Sequence, residues 1–279
     1  MEDTNALLLN RIFTRNTLSE IISYGRSDTF DAVKKRYIEN PQEKDNLSII
    51  SEIYKLLEKK YQNEYFYKNT ILNKLLLGVH KPNTTTALTE IPVGKSKVDF
   101  VLINGKAVAY EIKTPLDNFD RLKGQLNDYY KAFSRVAVVT SEDHYEEAQS
   151  LLENTPTGLY VLTKRIQLSE RKKPEEYCNS LDLKTMFKTL RKCEYQDIIE
   201  KCYGELPNVT DFEYYRRCQE LFERLDTKIA YELFLEELKK RRPEDLPQYK
   251  QVPYELKFLT YFLNLREQEY NNLNIFLLK

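Results

Sequence analysis

Asp99, Glu111 and Lys113 are charged residues at one end of two otherwise apolar runs, 97–103 and 107–113, which Asn104-Gly105 joins. Two carboxylates at neighbouring strand ends, with an amine two residues on, have the makings of a hard-cation site. Mg²⁺ takes oxygen ligands in octahedral geometry and keeps several waters, so one or two carboxylates suffice. The backbone carbonyl of Ile112, between Glu111 and Lys113, is a natural further oxygen ligand. An ammonium beside such an ion can orient an attacking water or offset charge building on a phosphorane-like transition state. The chemistry this set suggests is metal-assisted phosphodiester hydrolysis. A D-x11-E-x-K spacing alone arises often by chance, and a solvated ion pair at strand ends would use the same residues. The context weighs against that: the charges break the apolar pattern at one end only, and Glu64 and Glu90 supply more acids upstream.

For these groups to meet, the hairpin needs the right register, because side chains alternate faces along a strand. A two-residue Asn-Gly loop pairs Asp99 with Tyr110 and sends Glu111 to the opposite face. A three-residue loop, 104–106, or an equivalent bulge pairs Asp99 with Glu111 instead. That register puts Asp99, Glu111 and Lys113 on one face, with Ala107 and Ala109 leaving open space beside them. The other face carries Val98, Phe100, Leu102, Val108, Tyr110 and Ile112, a core surface. The odd-parity register is therefore the one expected.

The surrounding pattern supplies the elements. Residues 1–77 read as helices: Ile49, Ile53, Leu56 and Leu57 recur at helical spacing, and the run 64–78 stops at Gly78, a C-cap signal. The polar stretch 79–86 reads as a loop. Runs rich in β-branched and aromatic residues follow at 87–94, 97–103, 107–113, 135–141 and 158–164, with helical patterns at 117–133 and 143–153. From about 174 onward the apolar stripe is helical again. The class is α/β, a mixed central β-sheet flanked by helices. The expected plan is a helical N-terminal region (1–60), an α/β core (61–173) and a helical C-terminal part (174–279).

These residues carry a resemblance. The order α-β-β-β-α-β, with Asp99 on the second strand and Glu111-Ile112-Lys113 on the third, resembles the PD-(D/E)XK nuclease superfamily and its restriction-endonuclease-like αβββαβ core. Val98 stands where that superfamily often has proline, a position that varies. More narrowly, "NEYFYKNTILNKLLLG", "GKSKVDFVLINGKAVAYEIKTPLDNFDRLKGQLNDYYKAF" and "VAVVTS" are similar to a bacterial, phage-associated nuclease-like family. The resemblance runs over most of the chain. It implies Mg²⁺ or Mn²⁺ held by Asp99 and Glu111, with Glu64 or Glu90 completing the shell and Lys113 assisting the water. It implies nucleic acid, DNA first, as the substrate.

Behind Lys113, Phe119, Leu122, Leu126, Tyr130 and Phe133 form a packing stripe, and Arg121, Gln125 and Tyr129 fall on the stripe beside it. Gln125 resembles the glutamine of the Q-x3-Y pattern of several such nucleases, with Tyr129 its aromatic. A solvated polar edge is an equal reading. Gly124 in mid-helix points to close approach of another backbone or a substrate.

Other features weigh less. Lys+Arg and Asp+Glu both total 43, so no global positive charge advertises nucleic acid. The basic stretch 163–174, with Lys184, Lys188, Arg191 and Lys192, suits a phosphate-facing patch or a compensated solvated face. "KKRRP" (239–243) fits cations at a helix C-terminus better than a nucleic-acid patch. His144 reads as a surface histidine at a helix start. Cys178, Cys193, Cys202 and Cys218 form no metal-binding pattern, and the two histidines, His80 and His144, are far apart, so reduced cytosolic thiols are expected. No run is long and apolar enough for a membrane span, and the N-terminus lacks signal-peptide character. The expectation is a cytoplasmic nuclease without membrane contact. A catalytically silent nuclease-like module, binding nucleic acid or a protein partner through its helical C-terminal region, is the alternative.

Overall fold

The computed structural model describes residues 8–79, 84–242 and 247–279. His80 and part of the expected 79–86 loop lie outside them. The chain divides into two units, one of Met1–Val79, Thr114–Leu116 and Pro243–Lys279, the other of His80–Lys113 and Asp117–Arg242. The units are thus not consecutive along the chain, as the sequence-based plan had them.

The first unit is helical: α1 (Arg15–Tyr24), α2 (Asp28–Tyr37), α3 (Asn46–Lys60) and α4 (Glu64–Ile71) come from the N-terminal part. Side-chain caps start three of them, with Thr14, Asp45 and Asn63 accepting from backbone N–H groups of the first turn. Gly78 does not cap the run after α4, which continues as a π-helix from Leu72 to Val79. At the switch the Asn73 amide donates to the Asn69 carbonyl at 2.8 Å, a bond that competes with the α-helical ladder. Asn69 also ties the two ends of the chain together. Its buried amide donates to the Tyr54 hydroxyl and the Tyr254 carbonyl, and its oxygen accepts from Phe258 N–H.

The second unit holds a six-stranded sheet in the order β1 (Thr86–Val93), β2 (Ser96–Asn104), β3 (Lys106–Lys113), β4 (Val136–Ser141), β5 (Gly158–Leu162) and β6 (Leu168–Lys172). The first three strands form an antiparallel meander, β3, β4 and β5 run parallel, and β6 returns antiparallel. Helix α5 (Leu122–Tyr129) makes the β3–β4 crossover and α6 (Tyr145–Leu152) the β4–β5 crossover. The class is α/β with a mixed sheet, as the sequence implies.

Strand β6 lies inside the stretch read as a basic patch. There Lys172 points its ammonium at the carbonyls of Leu152, Glu153 and Thr155, closing the C-terminus of α6. Helices α7 (Leu183–Thr189), α8 (Lys192–Tyr203), α9 (Asp211–Phe222) and α10 (Thr227–Lys240) complete the unit. Phe187, Tyr195, Phe222 and Phe234 share one apolar core with α5 and with Ala107 and Ala109 of β3. The face expected to be open beside the two alanines is therefore packed.

Candidate functional site

The β2–β3 hairpin adopts the odd-parity register. Asn104 pairs with Lys106 around Gly105, whose φ of +67° only glycine adopts easily, and the ladder runs back to Phe100 opposite Tyr110. One step further places Asp99 across from Glu111. The β1–β2 turn brings in a third acid. Val93 pairs with Ser96 around Gly94-Lys95, so Glu90 falls across from Asp99. Their carboxylate oxygens come within 4.8 Å of each other. The ladder skips this pair, and Glu90 holds a left-handed φ of +55°. A non-glycine residue there stores local strain, a pattern that concentrates at functional sites.

Each charged group is oriented by a neighbour. Asp99 Oδ2 accepts the Ile112 N–H at 2.8 Å, and Glu90 lies 3.6 Å from the Lys97 ammonium. Glu111 and Lys113 are both buried and pair at 3.0 Å. Helix α5 closes over them: Lys113 Nζ donates to Gln125 Oε1 at 2.9 Å, and the Tyr129 hydroxyl bonds the second Glu111 oxygen. Tyr129 also reaches the Lys97 carbonyl. Burial, and then the Glu111 carboxylate beside it, push the Tyr129 phenol far above its ordinary range. Tyr129 is thus a neutral donor at any working pH. Gln125 and Tyr129, read as one stripe from the sequence, both engage the E-x-K pair.

Glu64 heads α4 in the other unit, where its carboxylate pairs with Lys68. His144 precedes α6, with its ring edge-on to Phe119 at 5.5 Å. The sequence reading missed Lys97 and the role of Asp128. That carboxylate accepts from Ser96 Oγ at 2.9 Å, Lys95 N–H at 3.1 Å and Lys131 Nζ at 2.7 Å, pinning the β1–β2 turn to α5. A side chain on Gly94 would strike it, since a Cβ there falls 2.7 Å from Asp128 Oδ1. The signal in the sequence was the Val-Gly-Lys-Ser turn, which fixes the β1–β2 register and so selects Glu90 as Asp99's neighbour.

Asp128 gives a pH prediction. Burial raises its pKa, but the bonds from Lys131, Ser96 and Lys95 N–H outweigh that and hold it below the usual value. Its stabilisation is therefore full above the ordinary aspartate pKa of about 3.9 and is lost as pH falls through the depressed folded value. Urea melts of wild type and Asp128→Asn should differ most near neutrality and converge in acid. A gap that stays constant with pH would show that the charge of Asp128 is not what holds the turn.

Glu90 and Asp99, the two acids the hairpins bring together, offer oxygen donors only, which suits a hard dication and not a thiophilic one. A family profile described as bacteriophage P4 protein cII matches residues 57–251, well over half of the chain. The chain belongs to the bacteriophage P4 protein cII family. The matched region contains every candidate site residue. The family's description names a phage protein and no reaction. No curated protein and no solved structure matches the chain. No helix among the described residues is long and apolar enough to cross a membrane.

Proposed function

We propose that this member of the P4 cII family is a metal-dependent nuclease that hydrolyses phosphodiester bonds in DNA. Asp99, Glu111, Glu90 and the Ile112 carbonyl would hold Mg²⁺ or Mn²⁺. The observation that carries the reading is the convergence of Gln125 and Tyr129 on Lys113 and Glu111, beside Asp99. It agrees with the resemblance to PD-(D/E)XK nucleases. Lys113, held by Gln125, would offset charge on a phosphate oxygen. Tyr129 fixes the Glu111 rotamer, and the Ile112 N–H fixes that of Asp99. When bound, the ion supplies Lewis-acid polarisation of the phosphate and a water of lowered pKa.

A second reading has its own support. Both Glu111 oxygens are engaged, one by Lys113 and one by Tyr129, and Glu111 is only 2% exposed. Such a closed pair suits a catalytically silent module that binds nucleic acid or a protein partner. Cleavage of plasmid, linear duplex and single-stranded DNA with Mg²⁺ or Mn²⁺ separates the two. The nuclease reading expects cleavage that falls at least about 100-fold in Asp99→Asn, the scale of losing one group that stabilises the transition state. No cleavage by folded wild type, with no Mn²⁺ binding by calorimetry, would leave the silent module.

A further inference from the structure

A cavity of about 590 Å³ lies within the sheet unit, between α5, α6 and the segments 155–157 and 177–180. Its size falls in the range of about 300–1,000 Å³ that houses small organic ligands. Phe119, Leu122, Leu126, Leu152, Pro156 and Tyr177 give it apolar walls. Two polar features set what those walls can take. The first is the pair Tyr130 and Thr157, 6% and 1% exposed, which share one hydroxyl–hydroxyl bond of 3.0 Å. Neither hydroxyl has a second partner among the described residues, so one O–H of the pair is left without an acceptor. Burial pushes the Tyr130 phenol up to about 12, so it stays a neutral donor. A buried donor left over is costly, and a ligand oxygen relieves it. The second feature is Lys123. Among the described residues that line the cavity it alone carries a charge, and it makes no ion pair with any of them. Asp120, in the turn before α5, does not line the cavity. Lys123 and Tyr130 are two helical turns apart, about 10 Å along the axis.

We propose that this cavity binds a medium-chain carboxylic acid that carries a second oxygen near its far end. The carboxylate meets Lys123, the chain lies along the apolar walls, and the far oxygen accepts the spare proton of the Tyr130–Thr157 pair. Leu122 and Leu126 stand on the helix whose Gln125 and Tyr129 hold Lys113 and Glu111, so the acid lies against the back of that helix. Binding needs no cleavage, so this site and the nuclease reading can fail separately.

The test is calorimetry of the whole chain with decanoate, 10-hydroxydecanoate and decanol. Decanoate should bind more tightly than decanol, and 10-hydroxydecanoate about fivefold more tightly again, the scale of one added hydrogen bond. Lys123→Gln should weaken both acids about three- to fivefold, the scale of an exposed ion pair, and leave decanol unchanged. Tyr130→Phe with Thr157→Val replaces both hydroxyls by apolar groups of similar shape, which keeps the fold. That variant should still bind decanoate and lose the preference for the hydroxy acid. No binding of any probe would overturn the site. Equal affinity for decanol and decanoate, or no preference for the hydroxy acid, would overturn the ligand assigned to it. Sedimentation covers the rival occupant: a dimer that binds no acid and is broken by Leu151→Glu, at the exposed edge of the cavity, would give the groove to a second copy.

Discussion

Alanine in place of Lys113 is expected to cost about 3–5 kcal/mol of folding stability, since it leaves a buried carboxylate without its cation. Lys113 is 5% exposed and Glu111 2%, so neither charge is relieved by bulk water when its partner goes. Gln125 loses its donor at the same time. The double variant Glu111→Leu, Lys113→Met should recover most of the loss, because apolar side chains of similar volume avoid desolvating either charge. Urea melts of the two single variants and the double variant give the coupling between the sites. A cost below about 1 kcal/mol for Lys113→Ala would mean that the pair behaves like a surface ion pair and is not sealed under α5. The expectation also bears on function. Loss of cleavage in Lys113→Ala mixes chemistry with unfolding, whereas Asp99 is only partly buried and is the cleaner probe.

A pair that costs this much to break is an unusual thing to keep in a sheet packed on both faces. Replacing it with apolar residues would be neutral or stabilising, so its retention asks for a use. The nuclease reading gives one: an ammonium and a carboxylate, each aimed by a residue of α5, at the end of a strand where Asp99 and Glu90 also arrive.

How much of this was legible follows from the range of the interactions involved. The Asp99–Glu111 register could be read because it depends on a turn of a few residues and a period of two. The Gln125–Tyr129 stripe could be read because i and i+4 share a helix face. Glu90, a candidate acid from the sequence, owes its place beside Asp99 to an equally local feature, the Gly94 turn that sets the β1–β2 register. The fate of Ala107 and Ala109 was not local. Whether a small residue leaves a cleft or admits a neighbour depends on what packs there, and here Phe133 and the aromatics of α7–α10 join the same core. Lys172 illustrates the same limit. Its three carbonyl partners are 17 to 20 residues away, and nothing in the charge pattern separates such a cap from a cation facing solvent.

Arg241 is the sharpest case, because its tract suggested two surface roles and it plays neither. Its guanidinium forks onto Glu194, Nε to Oε1 and one terminal nitrogen to Oε2, both at 2.6 Å, with a third bond to the Thr189 carbonyl at 3.1 Å. Both side chains are 8% exposed. Glu194 Oε2 in turn accepts Arg191 N–H at 2.7 Å, so the bridge closes the N-terminus of α8 onto the end of α10. Arg241→Ala should therefore destabilise by about 3–5 kcal/mol, as for any buried pair stripped of one charge. Arg241→Lys keeps the charge but loses the planar fork, and should still cost about 1–3 kcal/mol. Lys239 and Lys240 sit in the last turn of α10, where cations suit the helix dipole, and Lys240 is also held by Glu237 and Asp197. Their substitution to glutamine should change stability far less, by about 0.3–1 kcal/mol. Denaturation curves for these variants would test this ranking. If Arg241→Ala left stability intact but weakened DNA binding, the tract would be a nucleic-acid patch after all.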